Sequence, residues 1–413
     1  MRKIIGFVEG VNYWALVLLP FSIGISQGFG NTIMGIMIGS FLLEKILKRE
    51  KPCNLSFPIM LFSIFIVIGL ISFVNSASIH DSIKGITKLL KFLMIFIIYS
   101  VNVKDRTHFK KIAISVGCIV SLLGIDAIWQ MASGKDFIRG NPLQDAIGLP
   151  RATASLPGCN GLGVFLTALT PVAAGLAIFA SRLKERLIFS IAAILGSIGV
   201  YLTLSRGAGI GLIMSIIFLS LMKRNKFIIS ALIALILVFP FVAPKNIKDW
   251  AKSVNYNPVI MLTCETRVGI YRNTIKMIGK HPFVGIGINT FSRSYGQYRD
   301  AEVEKTNPTA DGYYAHNNFL HMAGEMGLLG LGVFLAFLVV VFKSAWFAFR
   351  NNPDPFLKAL SISVFAAIIA YLINGLTETS LYYSRIVMIF WFLIGLGLSL
   401  ERFTRENENR GKA

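Results

Sequence analysis

Long apolar blocks alternate along the chain with short charged or Pro/Gly/Asn-containing segments. A helix needs about 20 apolar residues to cross roughly 30 Å of hydrocarbon, and it satisfies its own backbone polar groups there. No segment alternates with period two like a membrane barrel strand. The pattern predicts twelve spanning helices, over residues 10–27, 30–46, 57–75, 86–103, 112–131, 160–180, 187–204, 207–222, 227–243, 317–342, 358–375 and 382–400.

Lysine and arginine cluster on one predicted side of this bundle. If the N-terminus is cytoplasmic, the inner segments are the basic ones, which the positive-inside bias requires. The net charge of +20 is therefore mostly topogenic, with some attraction to anionic lipid, and it does not indicate nucleic acid. We read the first span as a retained helix, because no small-residue cleavage site follows it. The inner segments are 44–51, 104–111, 182–186, 223–226, 343–358 and the tail from Glu401.

The outer segments differ greatly in length. Residues 76–85 and 376–382 are turns, 132–159 is longer and rich in turn residues, and 244–316 is too long for a passive connection. The fold class is thus an all-α polytopic membrane protein with one large outer loop. Its predicted parts are 1–243 (helices 1–9), 244–316 (the loop), 317–400 (helices 10–12) and 401–413 (a cytoplasmic tail whose last residues, 405–413, are expected to be disordered).

The large loop contains its own helical pattern. Glu265–Lys280 carries an approximate apolar stripe, so we expect an amphipathic helix there. Pro282, Gly285 and Gly287 end that periodicity. A second short helix or turn is expected between Phe291 and Glu304. We expect these pieces to lie flat above the bundle.

Arginines near the outer boundary are the first candidates for chemistry. Arg206 lies between two apolar blocks with no room for a proper loop, where charge is costly; the alternative is a turn arginine that snorkels. Arg267 and Arg272 lie on the loop helix, and Arg151 lies in 132–159. A guanidinium group offers two parallel donors to phosphate oxygens. A solvated surface charge is the competing interpretation for each loop arginine.

His316 stands at the mouth of the tenth span, after Tyr313 and Tyr314. A neutral imidazole there can accept a proton from a hydroxyl group, although many histidines at helix starts are capping residues. His321 is about 500° further around the helix and reads as structural.

Two carboxylates, four glycines and four cysteines complete the candidates. Glu325 and Glu378 must face protein or water, and structural pairing and catalysis both stay open. Gly324, Gly327, Gly330 and Gly332 suit close helix packing. Cys53, Cys118, Cys159 and Cys264 show no metal spacing; Cys159 and Cys264 share the outer side, so a disulfide stays open. No nucleotide or metal motif occurs, so we expect neither cofactor nor metal.

Three short segments together resemble the O-antigen ligase family of bacterial envelope glycosyltransferases. SRGAGIGL (205–212) is similar to its Ser/Thr-Arg-Gly/Ala segment at a helix start. TRVGIYRNTIKMIGKHPFVGIGINTF (266–291) resembles its Arg-helix followed by Pro-x-x-Gly-x-Gly. AHNNFLHMAGEMGLLGLGVF (315–334) resembles its His-Asn segment followed by Glu-x-Gly-x-x-Gly. The likeness extends over nearly the whole length, including the large loop before the tenth span.

The resemblance implies a GT-C-like fold and metal-independent, inverting transfer of a glycan from undecaprenyl diphosphate to lipid A–core on the periplasmic face of the inner membrane. By position, Arg206 and Arg267 match the arginines that hold the diphosphate, and His316 matches the base that activates the acceptor hydroxyl. Arg151 and Arg272 are further candidates for substrate binding from the residues alone. Both termini would be cytoplasmic and the site periplasmic.

Other reactions share these motifs. O-antigen or exopolysaccharide polymerases and protein O-oligosaccharyltransferases resemble the same family and use the same donor, and ligase is favoured because His316 and the paired arginines are all present. A transporter of lipid-linked glycans is the non-enzyme alternative, and the lack of two related halves argues against it.

Overall fold

The computed structural model describes residues 1–51, 56–146, 148–243, 245–300 and 314–410. Its helices are α1 (Arg2–Ile25), α2 (Gln27–Lys48), α3 (Phe57–Ile71), α4 (Ile79–Asn102), α5 (Arg106–Ser133), α6 (Cys159–Phe179), α7 (Leu183–Leu202), α8 (Arg206–Lys223), α9 (Lys226–Val242), α10 (Lys245–Ser253), α11 (Pro258–Leu262), α12 (Glu265–Lys280), α13 (Phe291–Ser294), α14 (Asn318–Asn351), α15 (Pro355–Asn374) and α16 (Val387–Arg410). Strands β1 (Gln144–Ala146) and β2 (Leu149–Arg151) form an antiparallel hairpin. Short 3₁₀ turns cover Ser72–Asn75, Tyr295–Tyr298 and Ser380–Tyr382.

The helices confirm an all-α polytopic membrane protein. Within the described ranges, eleven helices are long and apolar enough to cross a membrane. The remaining predicted span, 227–243, forms α9, which has 17 residues and is therefore about 26 Å long, slightly less than the hydrocarbon thickness. The predicted loop helix forms over the expected residues, Glu265–Lys280. The second loop helix is seen as α13 and its 3₁₀ turn, while 301–304 lie outside the described residues.

Aromatic side chains hold the middle of the bundle together. Rings from α3, α4, α14 and α16 form one contact group, in which Trp391 meets Phe62 edge-on at 4.7 Å and Phe96 meets Phe337 edge-on at 5.9 Å. These residues are almost fully buried inside the protein. Lipid supplies no hydrophobic drive for helices to associate, so such close van der Waals packing has to supply the stability.

Ion pairs join the predicted inner segments at one end of the bundle, called here the tail side. Lys48 pairs with Glu9 at 2.5 Å, Arg106 with Asp354 at 2.5 Å, and Lys110 with Glu185 at 2.6 Å. Arg402 donates to the carbonyl of Val103 at 2.7 Å. These contacts link 104–111 to 182–186, to 343–358 and, through the neighbouring Val103, to the tail, while 44–51 is bound to α1. The linked basic segments therefore lie at one end, as their charge predicts.

The opposite end, the loop side, carries residues 245–300. Asn75 donates to the carbonyl of Gly285 at 2.9 Å, and Ser82 to that of Ile288 at 2.9 Å. Arg385 is buried and donates to the carbonyls of Ile23, Gly24 and Ser155 at 2.6–2.8 Å. Its burial lowers its pKa to about 10. These bonds fix the large loop and the short turns as one surface over the bundle.

A break in α14 ties the loop to the bundle core. Gly327 has φ +68° and ψ −177° inside an otherwise helical run, so the helical hydrogen bonds are interrupted there. The loop segment 282–287 supplies the missing partners. Ile286 and Gly287 donate to the carbonyls of Gly324 and Glu325 at 3.0 Å, and Leu328 donates to the carbonyl of Pro282 at 2.7 Å. The loop therefore pairs with the helix backbone much as two strands pair.

Three expectations need correction or refinement. Residues 405–410 continue α16, so the disorder expected for them is wrong; ion pairs Arg405–Glu401 and Arg402–Glu406 at i,i+4 support this helical end. Cys159 and Cys264 are free thiols, so no disulfide joins them. Gly327 terminates a helical segment instead of packing a helix face, and Gly332 has no neighbour within 4 Å of a Cβ position.

Replacing Gly327 by alanine is expected to destabilise the protein. A Cβ at Gly327 would lie 2.0 Å from the carbonyl oxygen of Phe283, and the positive φ is unfavourable for any L side chain. We expect Gly327→Ala to lower the apparent melting temperature in detergent by several degrees, measured by tryptophan fluorescence. Gly332→Ala, the control, should leave it unchanged or raise it slightly, because alanine favours the helix. Equal melting of both variants would contradict the role of the break.

Candidate functional site

His316 lies at the junction of the loop and α14, where the local sequence fixes the backbone. Asn317 caps α14, since its side chain accepts from the N–H groups of Phe319 and Leu320 at 2.9 and 3.0 Å. His316 itself has φ +48°, which is uncommon for a residue with a side chain and is found at functional sites. The cap thus turns the chain so that His316 stands above the end of the helix.

The turn between α15 and α16 is bound to this junction by asparagine side chains. Asn318 donates to the hydroxyl of Ser380 at 3.0 Å and accepts from the N–H of Leu381 at 3.0 Å. Asn317 donates to the carbonyl of Leu376 at 3.0 Å. The turn 375–386 is therefore held directly beside His316, although it lies about sixty residues further along the chain.

Glu378, in that turn, is the centre of the site. One carboxylate oxygen lies 3.3 Å from Nδ1 of His316 and 3.4 Å from the hydroxyl of Tyr383. The other accepts from Arg267 Nη2 and from Asn160 Nδ2, each at 3.1 Å. Its side chain is only 6% exposed. A buried carboxylate needs such a set of donors, because an unpaired charge is costly to bury.

Arg267 and Tyr271 reach the site from one face of α12. Arg267 Nη1 donates to the carbonyl of Thr377 at 2.5 Å, which leaves its Nε–H for another acceptor. The hydroxyl of Tyr271 lies 3.0 Å from the carbonyl oxygen of His316 and 3.2 Å from that of Leu376, so its single proton is shared between these two acceptors. Spacing of i,i+4 puts both side chains on the same side of the helix. The loop helix thus holds His316 and the turn together.

Arg151 joins the same network through Asn160. Its Nη2 donates to Asn160 Oδ1 at 2.9 Å, and its Nε donates to the carbonyl of Thr203 at 2.7 Å. Asn160 in turn donates to Glu378. The structure therefore brings Arg151, Arg267 and His316 together around one carboxylate.

Arg206 lies beside this network and not in direct contact with it. Its guanidinium group donates to the carbonyls of Ile260, Met261 and Thr263, and it lies 5.0 Å from the Trp250 ring centre. The next residue, Gly207, packs so closely that a Cβ would lie 2.0 Å from the hydroxyl oxygen of Thr377. Arg206 thus stands next to the turn that carries Glu378, and carbonyl groups now occupy the acceptor positions that a phosphate would take.

The electrostatics of the site favour an ionised Glu378. Burial alone would raise the pKa of its carboxyl, but the hydrogen bond from His316 and the charge of Arg267 outweigh burial and lower that pKa below its usual value of 4.5. Burial raises the pKa of Tyr271 to about 12 and also raises that of Tyr383. Glu378 is therefore a carboxylate and the two tyrosines are neutral donors at ordinary pH.

The remaining predicted residues lie elsewhere. His321 is fully buried in α14, stacks on Phe291 at 4.4 Å and lies 3.3 Å from Glu325, as its structural interpretation predicted. Glu325 accepts from the N–H groups of Asn289 and Phe291 at 2.7 and 3.0 Å, so it binds the loop to α14. Arg272 is exposed, about 140° around α12 from Arg267, and does not belong to the Glu378 network.

Sequence analysis left Glu378 open between structural pairing and catalysis, and it gave no site role to Asn160, Tyr271 or Tyr383; the structure shows that Glu378 pairs with Arg267. The one sequence signal for Glu378 was its position: a carboxylate in a short turn on the predicted outer side, next to an apolar span. Asn160 and the two tyrosines carried no such signal, because their partners are distant in sequence.

The arrangement can combine proton removal with anion binding. If Glu378 accepts a hydrogen bond from Nδ1–H of His316, the Nε2 atom of that imidazole is left as the proton acceptor. Guanidinium groups of Arg151, Arg206 and Arg267 surround the same turn and supply fixed positive charge. A base beside preorganised cations suits the transfer of a group from an anionic leaving group to a hydroxyl.

A family model described as O-antigen ligase matches residues 191–335. The matched region extends from α7 into α14 and contains Arg206, Arg267, Arg272 and His316, whereas Arg151 and Glu378 lie outside it. No curated protein matches the chain.

The ionisation of Glu378 should make stability depend on pH. Its folded pKa is below 4.5, so its contribution is complete above about pH 4.5 and is lost as the pH falls through the folded pKa. At pH 7 we expect Glu378→Gln to melt several degrees below wild type, because Arg267 loses its buried partner. The difference should shrink as the pH falls through the folded pKa of Glu378. Glu406→Gln, at an exposed position, is the control; a gap that stays constant with pH would contradict the assignment.

Proposed function

We propose that this chain, a member of the O-antigen ligase family, moves a glycan from undecaprenyl diphosphate to a hydroxyl of lipid A–core. The family is of the glycosyltransferase type, and the chain is a multi-pass membrane protein whose substrates are glycans in a lipid context. The proposed reaction takes place on the periplasmic face of the inner membrane, with both termini in the cytoplasm. The observation that carries the proposal is the Glu378 carboxylate, which contacts both the predicted base and a predicted diphosphate arginine.

In the proposed reaction His316 acts as the general base. The acceptor oxygen forms a bond to the anomeric carbon while the bond from that carbon to the diphosphate oxygen breaks. The bonding electron pair leaves with the diphosphate, and the acceptor proton moves to Nε2 of His316. Glu378 stabilises the imidazolium that forms, as a carboxylate does for a catalytic histidine. Attack from the face opposite the diphosphate inverts the anomeric centre.

Arginine supplies the complementary charge in this proposal. Arg267 is held by Glu378 and Thr377, so its guanidinium group is oriented before substrate arrives, and Arg206 stands beside the same turn. Fixed cations stabilise the charge that builds on the departing diphosphate without a reorganisation cost. Phosphate oxygens would replace the loop carbonyls that Arg206 now contacts. Arg151 would act through Asn160 on the position of Glu378, and Arg272 would have no direct part.

The proposed base can be tested by transfer with purified protein, undecaprenyl diphosphate-linked glycan and lipid A–core. We expect His316→Ala to lower kcat about 10²- to 10⁴-fold, the usual contribution of a positioned base. His281→Ala, at the end of α12 and outside the network, should retain wild-type activity. Full activity of His316→Ala would refute the assignment.

In a deletion strain, bare core with accumulated lipid-linked polymer supports a ligase, whereas single repeat units on core would identify a polymerase.

Arginine-to-lysine substitutions test the diphosphate role. Lysine keeps the charge but loses the planar fork, so Arg267→Lys and Arg206→Lys should each lower kcat/KM for the donor about tenfold or more. Arg272→Lys, on the exposed side of the same helix, is the matched control and should change it less than about twofold. A loss in Arg272→Lys equal to that in Arg267→Lys would show that the charge of the loop, and not the orientation of Arg267, matters.

A further inference from the structure

A row of three lysines follows one face of α4 into the membrane-spanning part of the bundle. Lys84, Lys88 and Lys91 are spaced i, i+4 and i+7, so they lie within an arc of about 60°. The predicted span 86–103 puts Lys84 outside the membrane and Lys88 at its boundary. Lys91 is then about 8 Å inside. Charge at such a depth is costly and marks a functional site unless it is paired.

The three lysines form one group of charge on the loop side. Lys84 is 56% exposed and lies 3.7 Å from Asp81, whose carboxylate also binds Arg293 at 2.8 Å. Lys88 donates to the side-chain oxygen of Asn289 at 3.0 Å. Lys91 is exposed, and no hydrogen bond or ion pair holds it within the described ranges. The acidic groups that act on Lys88 are Glu325 and Asp81, and both have other donors.

An apolar pocket lies directly beside the lysine row, and Lys88 belongs to both. Its walls come from α3, α4, α14, α16 and the turn before α16, and they include Phe65, Phe92, Met326, Phe334 and Trp391. The polar side chains at the pocket are those of Lys88, Asn289 and Tyr382. The pocket encloses only about 50 Å³, which is too little for an acyl chain. The lysine row is therefore the feature that points to a ligand, because cationic groups at the boundary match the phosphate of an anionic lipid.

This site is distinct from the arginine site. Lys84, Lys88 and Lys91 lie on α4, whereas the arginines come from β2, α8 and α12. Aromatic rings separate the two: Tyr382 lines the pocket and packs on His321 at 3.9 Å, and Tyr314 lies between His321 and Tyr383, at 5.4 and 5.8 Å. Tyr383 contacts Glu378. These rings therefore lie between the lysine row and Glu378.

We propose that Lys84, Lys88 and Lys91 bind the phosphate of the acceptor lipid. The inference rests on the proposed function, in which one lipid diphosphate gives the glycan and a second lipid receives it. The arginines take the donor, and the lysine row takes a phosphorylated acceptor such as lipid A.

Binding of lipids to the full-length protein in detergent, measured by native mass spectrometry, tests the site apart from transfer. Removing three boundary lysines should weaken binding of diphosphorylated lipid A at least about tenfold. The test variant is Lys84→Gln/Lys88→Gln/Lys91→Gln. The control Lys184→Gln/Lys226→Gln/Lys343→Gln removes the same charge from exposed positions outside the site. We expect the control variant to bind diphosphorylated lipid A as tightly as the wild type does. Dephosphorylated lipid A should bind the wild type weakly, about as weakly as diphosphorylated lipid A binds the test variant.

Three results would overturn the proposal. The test variant could bind lipid A like wild type, or undecaprenyl diphosphate binding could fall by the same factor, which would make the lysines part of the donor site. Equal competition by phosphatidylglycerol would show a general anionic-lipid surface.

In transfer assays the test variant should raise KM for the acceptor and leave kcat and donor KM unchanged, and Lys-to-Arg versions should restore KM. Intact lipid A binding without any wild-type transfer would instead refute the proposed function alone.

Discussion

The buried carboxylate of Glu378 is the interaction on which the candidate site depends. It is reached by His316 from the start of α14, by Arg267 from the loop helix, and through Asn160 by Arg151 from the hairpin. Each of these elements would otherwise carry an isolated charge or an unfixed imidazole. Because Glu378 is almost fully buried, losing Arg267 would leave an unpaired charge in a medium of low polarity, and losing a neutral donor would leave a carboxylate oxygen with fewer hydrogen bonds. The carboxylate thus fixes orientation and charge together.

The position of the Glu378 carboxylate depends on hydrogen bonds that fix the backbone segments around it. The break at Gly327 lets segment 282–287 pair with α14, which fixes the C-terminal end of the loop helix against the bundle. Asn317 and Asn318 then bind the turn 375–386 to the start of the same helix. Both attachments replace helical hydrogen bonds or caps that would otherwise be unsatisfied near lipid. The same contacts therefore satisfy the hydrogen-bonding groups of the backbone and fix the geometry of the site.

Much of the fold follows from the sequence, and the site follows only in part. The lengths of the apolar blocks predicted the membrane spans, and the apolar periodicity together with Pro282 predicted the bounds of α12. Both predictions were possible because both signals are local in the sequence. His316, Arg267 and Arg206 were found from their position at a membrane boundary. The role of Glu378 could not be found in this way, since it depends on contacts 62 and 111 positions away. Gly327 was misread because a glycine suits close packing and a left-handed break equally well.

The two cationic regions differ in the way that their proposed ligands differ. A diphosphate that leaves during the reaction needs donors whose geometry is fixed, and a planar guanidinium group held by Glu378 and Thr377 provides this. An acceptor lipid has only to be held at the right depth, and ammonium groups at successive depths along α4 are suited to that. A diphosphate moved to the lysine row would lose the fixed guanidinium contacts. In this proposal the protein distinguishes two anionic lipids of the same membrane by the type of cation that binds each one.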